Sequence, residues 1–155
     1  MKTLHYVGDF TFESVNFPFK TYELDHDVIS CSEAAGAKGI SIKNELKTLV
    51  LETSFGICTV NVSAKNQISL RKVKTALNVN EACLASYHIL NTLNLIPGTV
   101  CPFLTQLWKA PMLIDEYVLD LSFVSTNKGV RNQFIIFSPE LLLLSPHHIV
   151  GNFSK

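Results

Sequence analysis

The sequence predicts an α+β fold, with a mainly antiparallel or mixed sheet and helices packed outside it. Three observations carry this expectation. Strand-forming apolar runs outnumber segments of helical period, turn residues separate most neighbouring runs, and no internal repeat or low-complexity linker divides the 155 residues. Short turns suit antiparallel neighbours, whereas a wholly parallel sheet needs a long crossover between strands. The length is that of one domain, expected to span residues 1–155.

The elements follow in order. Residues 10–22 are rich in aromatics, and Phe10 and Phe12 alternate as in a strand until Pro18 interrupts. Ser30 and Glu33 are spaced as a capping box, so a short helix through Ala34-Ala35 is expected to stop near Gly36–Gly39. Lys47–Leu51 and Ile57–Val62 are strand-forming runs around a Ser54-Phe55-Gly56 turn, which reads as a hairpin. Between Ser69 and Leu77 the period changes: Leu70, Val73 and Leu77 share one helical face, and Arg71, Lys72 and Lys74 point away from it. Ser86–Leu93 forms a second helix. Gly and Pro make residues 97–102 a loop. Pro111–Ile114, Leu119–Val124 and Gln133–Phe137 are strand candidates, with a turn at Asn127-Lys128-Gly129. Ser138-Pro139-Glu140 starts a short helix over Leu141–Leu144 that Pro146 ends.

Composition narrows the function. Thirteen basic residues balance thirteen acidic ones, which argues against a protein that coats nucleic acid by neutralising many phosphates. Residues 1–10 lack the apolar core of a secretory signal, and the most apolar stretch, 134–144, is broken by Ser138, Pro139 and Glu140. It falls short of the roughly 18 apolar residues that a membrane span needs. A cytoplasmic protein is expected. Cys31, Cys58, Cys83 and Cys101 contain no C-x-x-C pair, so no zinc or redox motif is written locally. No phosphate loop, dinucleotide fingerprint or nucleophile elbow occurs. The adjacent His147 and His148 lie on an expected loop and point apart, and Asp115-Glu116 reads as a turn after a strand.

The order of these segments carries a resemblance. A small helix with Ala34-Ala35 precedes the strand Lys47-Thr48-Leu49-Val50-Leu51 and its hairpin. A basic helix follows, then the loop Gly98-Thr99-Val100-Cys101-Pro102-Phe103, then Ile114-Asp115-Glu116 and Ser138-Pro139-Glu140-Leu141. Over about residues 22–144 the chain resembles the YbaK / prolyl-tRNA-synthetase-associated domain family of aminoacyl-tRNA editing proteins, with residues 1–21 as an N-terminal extension packed on the domain. The resemblance implies a mixed, partly barrel-like β-sheet with flanking helices. It also implies hydrolysis of the ester between a wrong amino acid and its tRNA, without metal or other cofactor and with help from a ribose hydroxyl of the substrate. The implied partner is the 3′ acceptor end of a mischarged tRNA, with an aminoacyl-tRNA synthetase as a further one. Neither DNA nor a membrane is expected.

Carried over residue by residue, the strand lysine is Lys47, and the loop that holds the ester is Gly98, Thr99, Val100, Cys101 and Pro102. An ammonium that opens an apolar strand can face a pocket, orient a phosphate and offset the charge of a forming oxyanion. Glycine lets backbone approach a ligand, and proline stiffens the loop. His26 is a further candidate for the pocket wall. Arg71, Lys72 and Lys74, with Lys65 nearby, are the candidate contacts to acceptor-stem phosphates. Each has a plainer reading: a strand-end lysine, an ordinary connection, a surface histidine, a solvated helix face. Cys101 as a nucleophile lacks any His or acid to activate it, so a small wall residue is expected there. Asn94, Thr99 and Ser125–Asn127 stand where the family often has other small residues. They motivate an alternative, a non-catalytic tRNA- or aminoacyl-adenosine-binding module. A hydrolase of small esters is a third reading.

Overall fold

The apolar runs at residues 47–62 form the hairpin at the centre of the larger of two sheets. The computed structural model describes residues 4–155; residues 1–3 of the expected N-terminal extension lie outside the described residues. The hairpin strands are β3 (Leu46–Thr53) and β4 (Gly56–Ser63), paired so that Lys47 faces Val62 and Val50 faces Thr59. The tight connection needs φ +126° at Gly56, a conformation that side-chain-bearing residues seldom adopt. Before the hairpin, β1 (His5–Phe12) and β2 (Phe17–Glu23) form a hairpin of their own, and α1 (Cys31–Lys38) follows. After it come α2 (Leu70–Leu77), the short β5 (Ala82–Leu84), α3 (Tyr87–Thr92) and α4 (Thr105–Trp108). The chain ends with β6 (Met112–Asp115), α5 (Glu116–Leu119), β7 (Val124–Asn127), β8 (Gln133–Phe137) and β9 (His148–Gly151).

The fold is mixed α+β with two sheets. One has the order β1-β2-β8-β7, the other β5-β3-β4-β6-β9. All pairs are antiparallel except β4–β6 and β6–β9. An isolated parallel bridge between Glu45 and Ser125 joins the sheets at a seam just before β3. Phe12, Phe19, Ile135 and Phe137 of the smaller sheet, Met112 and Ile114 of the larger one, and Phe103 and Trp108 from the segment between β5 and β6 fill the main core. A second cluster packs Val73 of α2 on Leu51, Cys58, Val60 and Val62. Among the described residues no helix is long and apolar enough to cross a membrane.

Capping explains where the helices begin and end. Ser30, Ser69 and Ser86 each accept a hydrogen bond from the amide three residues on. Glu33 reaches back to the amide of Ile29, one residue before the cap, and Gly39 closes α1 with φ 72°.

Four local expectations are corrected. Pro18 does not interrupt: it sits inside β2, where β8 runs alongside only Thr21–Glu23, so its missing N–H costs no ladder bond on that side. Residues 119–123 are not strand. Val118, Leu119 and Leu121 pack on the main core from a helical turn, and β7 begins only at Val124; short apolar runs do not distinguish the two periods. Residues 139–144 form a 3₁₀ turn, and Ser138 makes no side-chain cap. His148 belongs to β9, beside Met112, rather than to a loop. The short β5, α4 and β9 have no counterpart in the sequence expectations.

Candidate active site

β3 has a partner along only part of one edge. β5 covers it at Leu51–Thr53, and the amide of Ala85 donates to the Val50 carbonyl at 2.9 Å. Backbone polar groups alternate sides along a strand, so the amide and carbonyl of Thr48 point to that same edge, where β5 has ended. A cavity of about 170 Å³ opens there. Its walls come from β3 (Leu46–Leu49), the entry to α1 (Val28–Cys31), the loop residues Gly98 and Val100, and Thr126-Asn127 of β7. The Thr48 hydroxyl donates to Asn61 Oδ1 at 2.7 Å, and Asn61 donates onward to the Leu113 carbonyl. The exposed edge is therefore held on a rigid strand.

Lys47 projects from this strand and lines the cavity with Gly98 and Val100. Its ammonium makes no ion pair or hydrogen bond among the described residues. It remains available for an anionic ligand. The loop opposite is tied down from β7: Asn127 Nδ2 donates to the Gly98 carbonyl at 2.8 Å. Gly98 has φ +83°, and an added Cβ would lie 3.8 Å from the Ile29 carbonyl oxygen, so strain rather than crowding favours glycine there. The Thr99 hydroxyl and amide both donate to the Ile96 carbonyl.

The floor of the cavity is ionic. Lys38 and Glu45 are both buried, and Lys38 Nζ donates to Glu45 Oε1 at 2.7 Å and to Ser125 Oγ at 2.9 Å. The same ammonium lies 4.4 Å from the centre of the Phe134 ring. Burial pushes the Lys38 ammonium down and the Glu45 carboxyl up, and in each case the partner's opposite charge counteracts the shift. Half-buried Cys31 sits among these charges. Burial, then the negative Glu45, push its thiol above the ordinary value, while Lys47 and Lys38 pull it back.

The remaining sequence candidates lie elsewhere. Thr99, Cys101 and Pro102 are buried and do not line the cavity. Cys101 is corrected from wall residue to core residue: it packs with Phe103 and Trp108, and burial pushes its thiol up to about 12, so it carries no thiolate at neutral pH. His26 is exposed, within 2.6 Å of Asp25, and is not a lining residue. Arg71, Lys72 and Lys74 lie on α2, over the second core cluster. Lys72 Nζ donates to the Ser154 carbonyl, and Arg71 and Lys72 line a separate groove with residues 149–153. The expected turn at Asp115 is a buried anchor: its carboxylate accepts from the Phe153 amide and the Ser154 hydroxyl, each at 2.8 Å.

Sequence reasoning missed Cys31, Lys38, Glu45, Thr48 and Asn127. One signal was present. Lys38 follows Ala34 and Ala35 by four and three residues, which puts it on the buried face of α1, and a lysine there needs a partner. The site as built offers a free ammonium, open strand-edge backbone and a glycine loop. These groups suit positioning of an ester and stabilisation of an oxyanion rather than acid–base relay.

Comparison with known proteins bears on the family and the fold. The sequence profile described as the aminoacyl-tRNA editing domain matches residues 25–143. No curated protein sequence matches the chain. Among solved structures, the chain is similar to a candidate trans-editing enzyme for prolyl tRNA synthetase, with a TM-score of 0.80 and 24% identity over 88% of this chain and 87% of that one. It is also similar to a hypothetical protein, with a TM-score of 0.82 and 19% identity over 93% and 96% of the two chains. At these identities the likeness concerns the fold.

Proposed function

This chain belongs to the aminoacyl-tRNA editing domain family, and on that premise we propose that it hydrolyses the ester joining a wrong amino acid to a tRNA. The 3′ end of the tRNA would enter the cavity beside β3. The observation that supports this reading most is that Lys47, whose ammonium has no partner among the described residues, lines the same cavity as Gly98. Lys47 attracts the terminal phosphate and offsets negative charge as the ester carbonyl becomes tetrahedral. The open Thr48 edge and the Gly98–Val100 backbone orient the adenosine and the ester. Water adds to the carbonyl carbon, the ester C–O bond breaks, and the ribose oxygen leaves with a proton. A neighbouring ribose hydroxyl of the substrate assists. The rate then comes from positioning and preorganised dipoles.

The chain's likeness to a candidate trans-editing enzyme for prolyl tRNA synthetase makes a mischarged tRNA for proline the first substrate to try. Arg71 and Lys74 are proposed to meet acceptor-stem phosphates, with Lys72 alongside.

The test is deacylation of a panel of misacylated tRNAs by the wild-type chain and by Lys47→Ala. Hydrolysis of at least one member is expected, and Lys47→Ala should lower kcat/KM roughly 100-fold, the scale of one lost oxyanion-stabilising group. Binding without hydrolysis of any member would instead identify a non-catalytic module. Equal activity on free aminoacyl esters would identify a small-ester hydrolase.

A further inference from the structure

The cavity has a second charged side chain with spare capacity. Glu45 lines it and is 96% buried. Its Oε1 accepts from Lys38, while Oε2 accepts no hydrogen bond among the described residues and is not among the atoms sealed from solvent without a partner. A carboxylate offers about four acceptor sites, and leaving half of them unused in a buried place is costly. Lys38 cannot fill them, because its ammonium is already shared between Glu45 Oε1, Ser125 Oγ and the Phe134 ring. The free oxygen therefore calls for a donor from the cavity itself.

Glu45, in extended conformation just before β3, and Lys47, its second residue, are two residues apart, which puts their side chains on one side of the chain, roughly 7 Å apart along it. One end of the cavity is cationic and the other anionic. An aminoacyl ester has the matching polarity: a phosphate and a carbonyl oxygen on one side, an α-ammonium on the other.

We propose that Glu45 recognises the α-ammonium group of the aminoacyl ester, held in place for that task by Lys38 and Ser125. This inference rests on the hydrolytic reading above. It makes Glu45 a specificity-determining residue that is indifferent to the amino acid side chain but excludes esters whose amino group is acylated. Peptidyl-tRNA and other N-acylated aminoacyl-tRNAs would then escape hydrolysis.

The experiment compares two non-hydrolysable ligands by calorimetry, a 3′-aminoacylamino-3′-deoxyadenosine and its N-acetyl derivative. The wild-type chain should bind the free amine roughly tenfold to a hundredfold more tightly, the scale of one charge-assisted hydrogen bond. The apolar double variant Lys38→Met/Glu45→Met should lose that preference, and Glu45→Gln, which keeps the partner lysine, should weaken it. Equal binding of both ligands by wild type, or an undiminished preference in either variant, overturns the role of Glu45 and leaves the hydrolytic reading standing. Binding of neither ligand, with no hydrolysis of any misacylated tRNA, overturns both.

Discussion

Removing one partner of the buried Lys38–Glu45 pair should cost far more than removing both. The pair lies at the seam between the sheets, with side chains 1% and 5% exposed. In Lys38→Met the Glu45 carboxylate keeps its burial and loses its counter-charge, while Ser125 Oγ and the Phe134 ring lose the ammonium. Breaking a buried pair in this way costs about 3–5 kcal/mol, whereas exchanging both members for apolar residues of similar volume is neutral or stabilising by about 1–4 kcal/mol. For a chain of this length about 1 kcal/mol corresponds to roughly 2–4 °C, so Lys38→Met should melt roughly 6–20 °C below wild type and Lys38→Met/Glu45→Met at or above it. Thermal and guanidinium unfolding of the three proteins give the comparison. The orphaned carboxyl adds a pH signature. Burial holds the Glu45 pKa above its ordinary 4.5, and without Lys38 nothing opposes that shift. The folded variant then binds more protons at this site than the unfolded one, so the contribution of Glu45 to stability is full below pH 4.5 and is lost as pH rises through the raised value. A single variant that melts within a degree or two of wild type, or a double variant that loses the sum of the two singles, would refute the reasoning.

The other expectations concern the loop, the thiols and the basic helix. Asn127→Ala removes the clamp on the Gly98 carbonyl; it should cost less than about 1 kcal/mol of stability yet lower kcat/KM at least tenfold, measured by melting and deacylation side by side. An alkylating reagent at pH 8 should label exposed Cys83 first and half-buried Cys31 slowly. Cys58 and Cys101, held at about 11 and about 12 by burial, should react only after unfolding, as mass spectrometry would record. Arg71→Glu/Lys74→Glu should make the salt dependence of log kcat/KM shallower by about 1 for each phosphate no longer neutralised, and an unchanged slope would assign these residues to a solvated face.

What was legible in the sequence is what local chemistry writes. Ser30 announces a helix start because a hydroxyl three residues before an amide is a short-range bond. The β3–β4 hairpin is legible because Gly56 lies between two strand-forming runs. Lys47 and Gly98 came from the order of motifs, and the fold places them on one cavity although they are 51 positions apart in sequence. The rest depends on partners distant in sequence. β9 exists because β6 offers it an edge, and Asp115 matters because residues 153–154 return to it. Lys38 carries a local sign of burial in its spacing from Ala34 and Ala35, but its partners Glu45 and Ser125 are set only by the fold. Cys101 was misplaced because loop residues carry no periodicity to say which of two neighbours faces inward: Val100 lines the cavity and Cys101 the core.

The aromatic core has a consequence for where this protein can be cut. The stretch shared with the editing family is residues 25–143, yet the ring cluster draws on both sides of residue 25. Phe19 lies 4.6 Å from Phe103 and 5.9 Å from Phe137, and Phe12 stands edge-on to Trp108 at 5.1 Å. An excised 25–143 fragment would bare the faces of three large rings at once and leave the outer edge of β8 without its neighbour. The boundary of the family match and the boundary of the packed aromatic core are therefore different lines on the same chain. Any graft, fusion or minimal version of this protein has to respect the second.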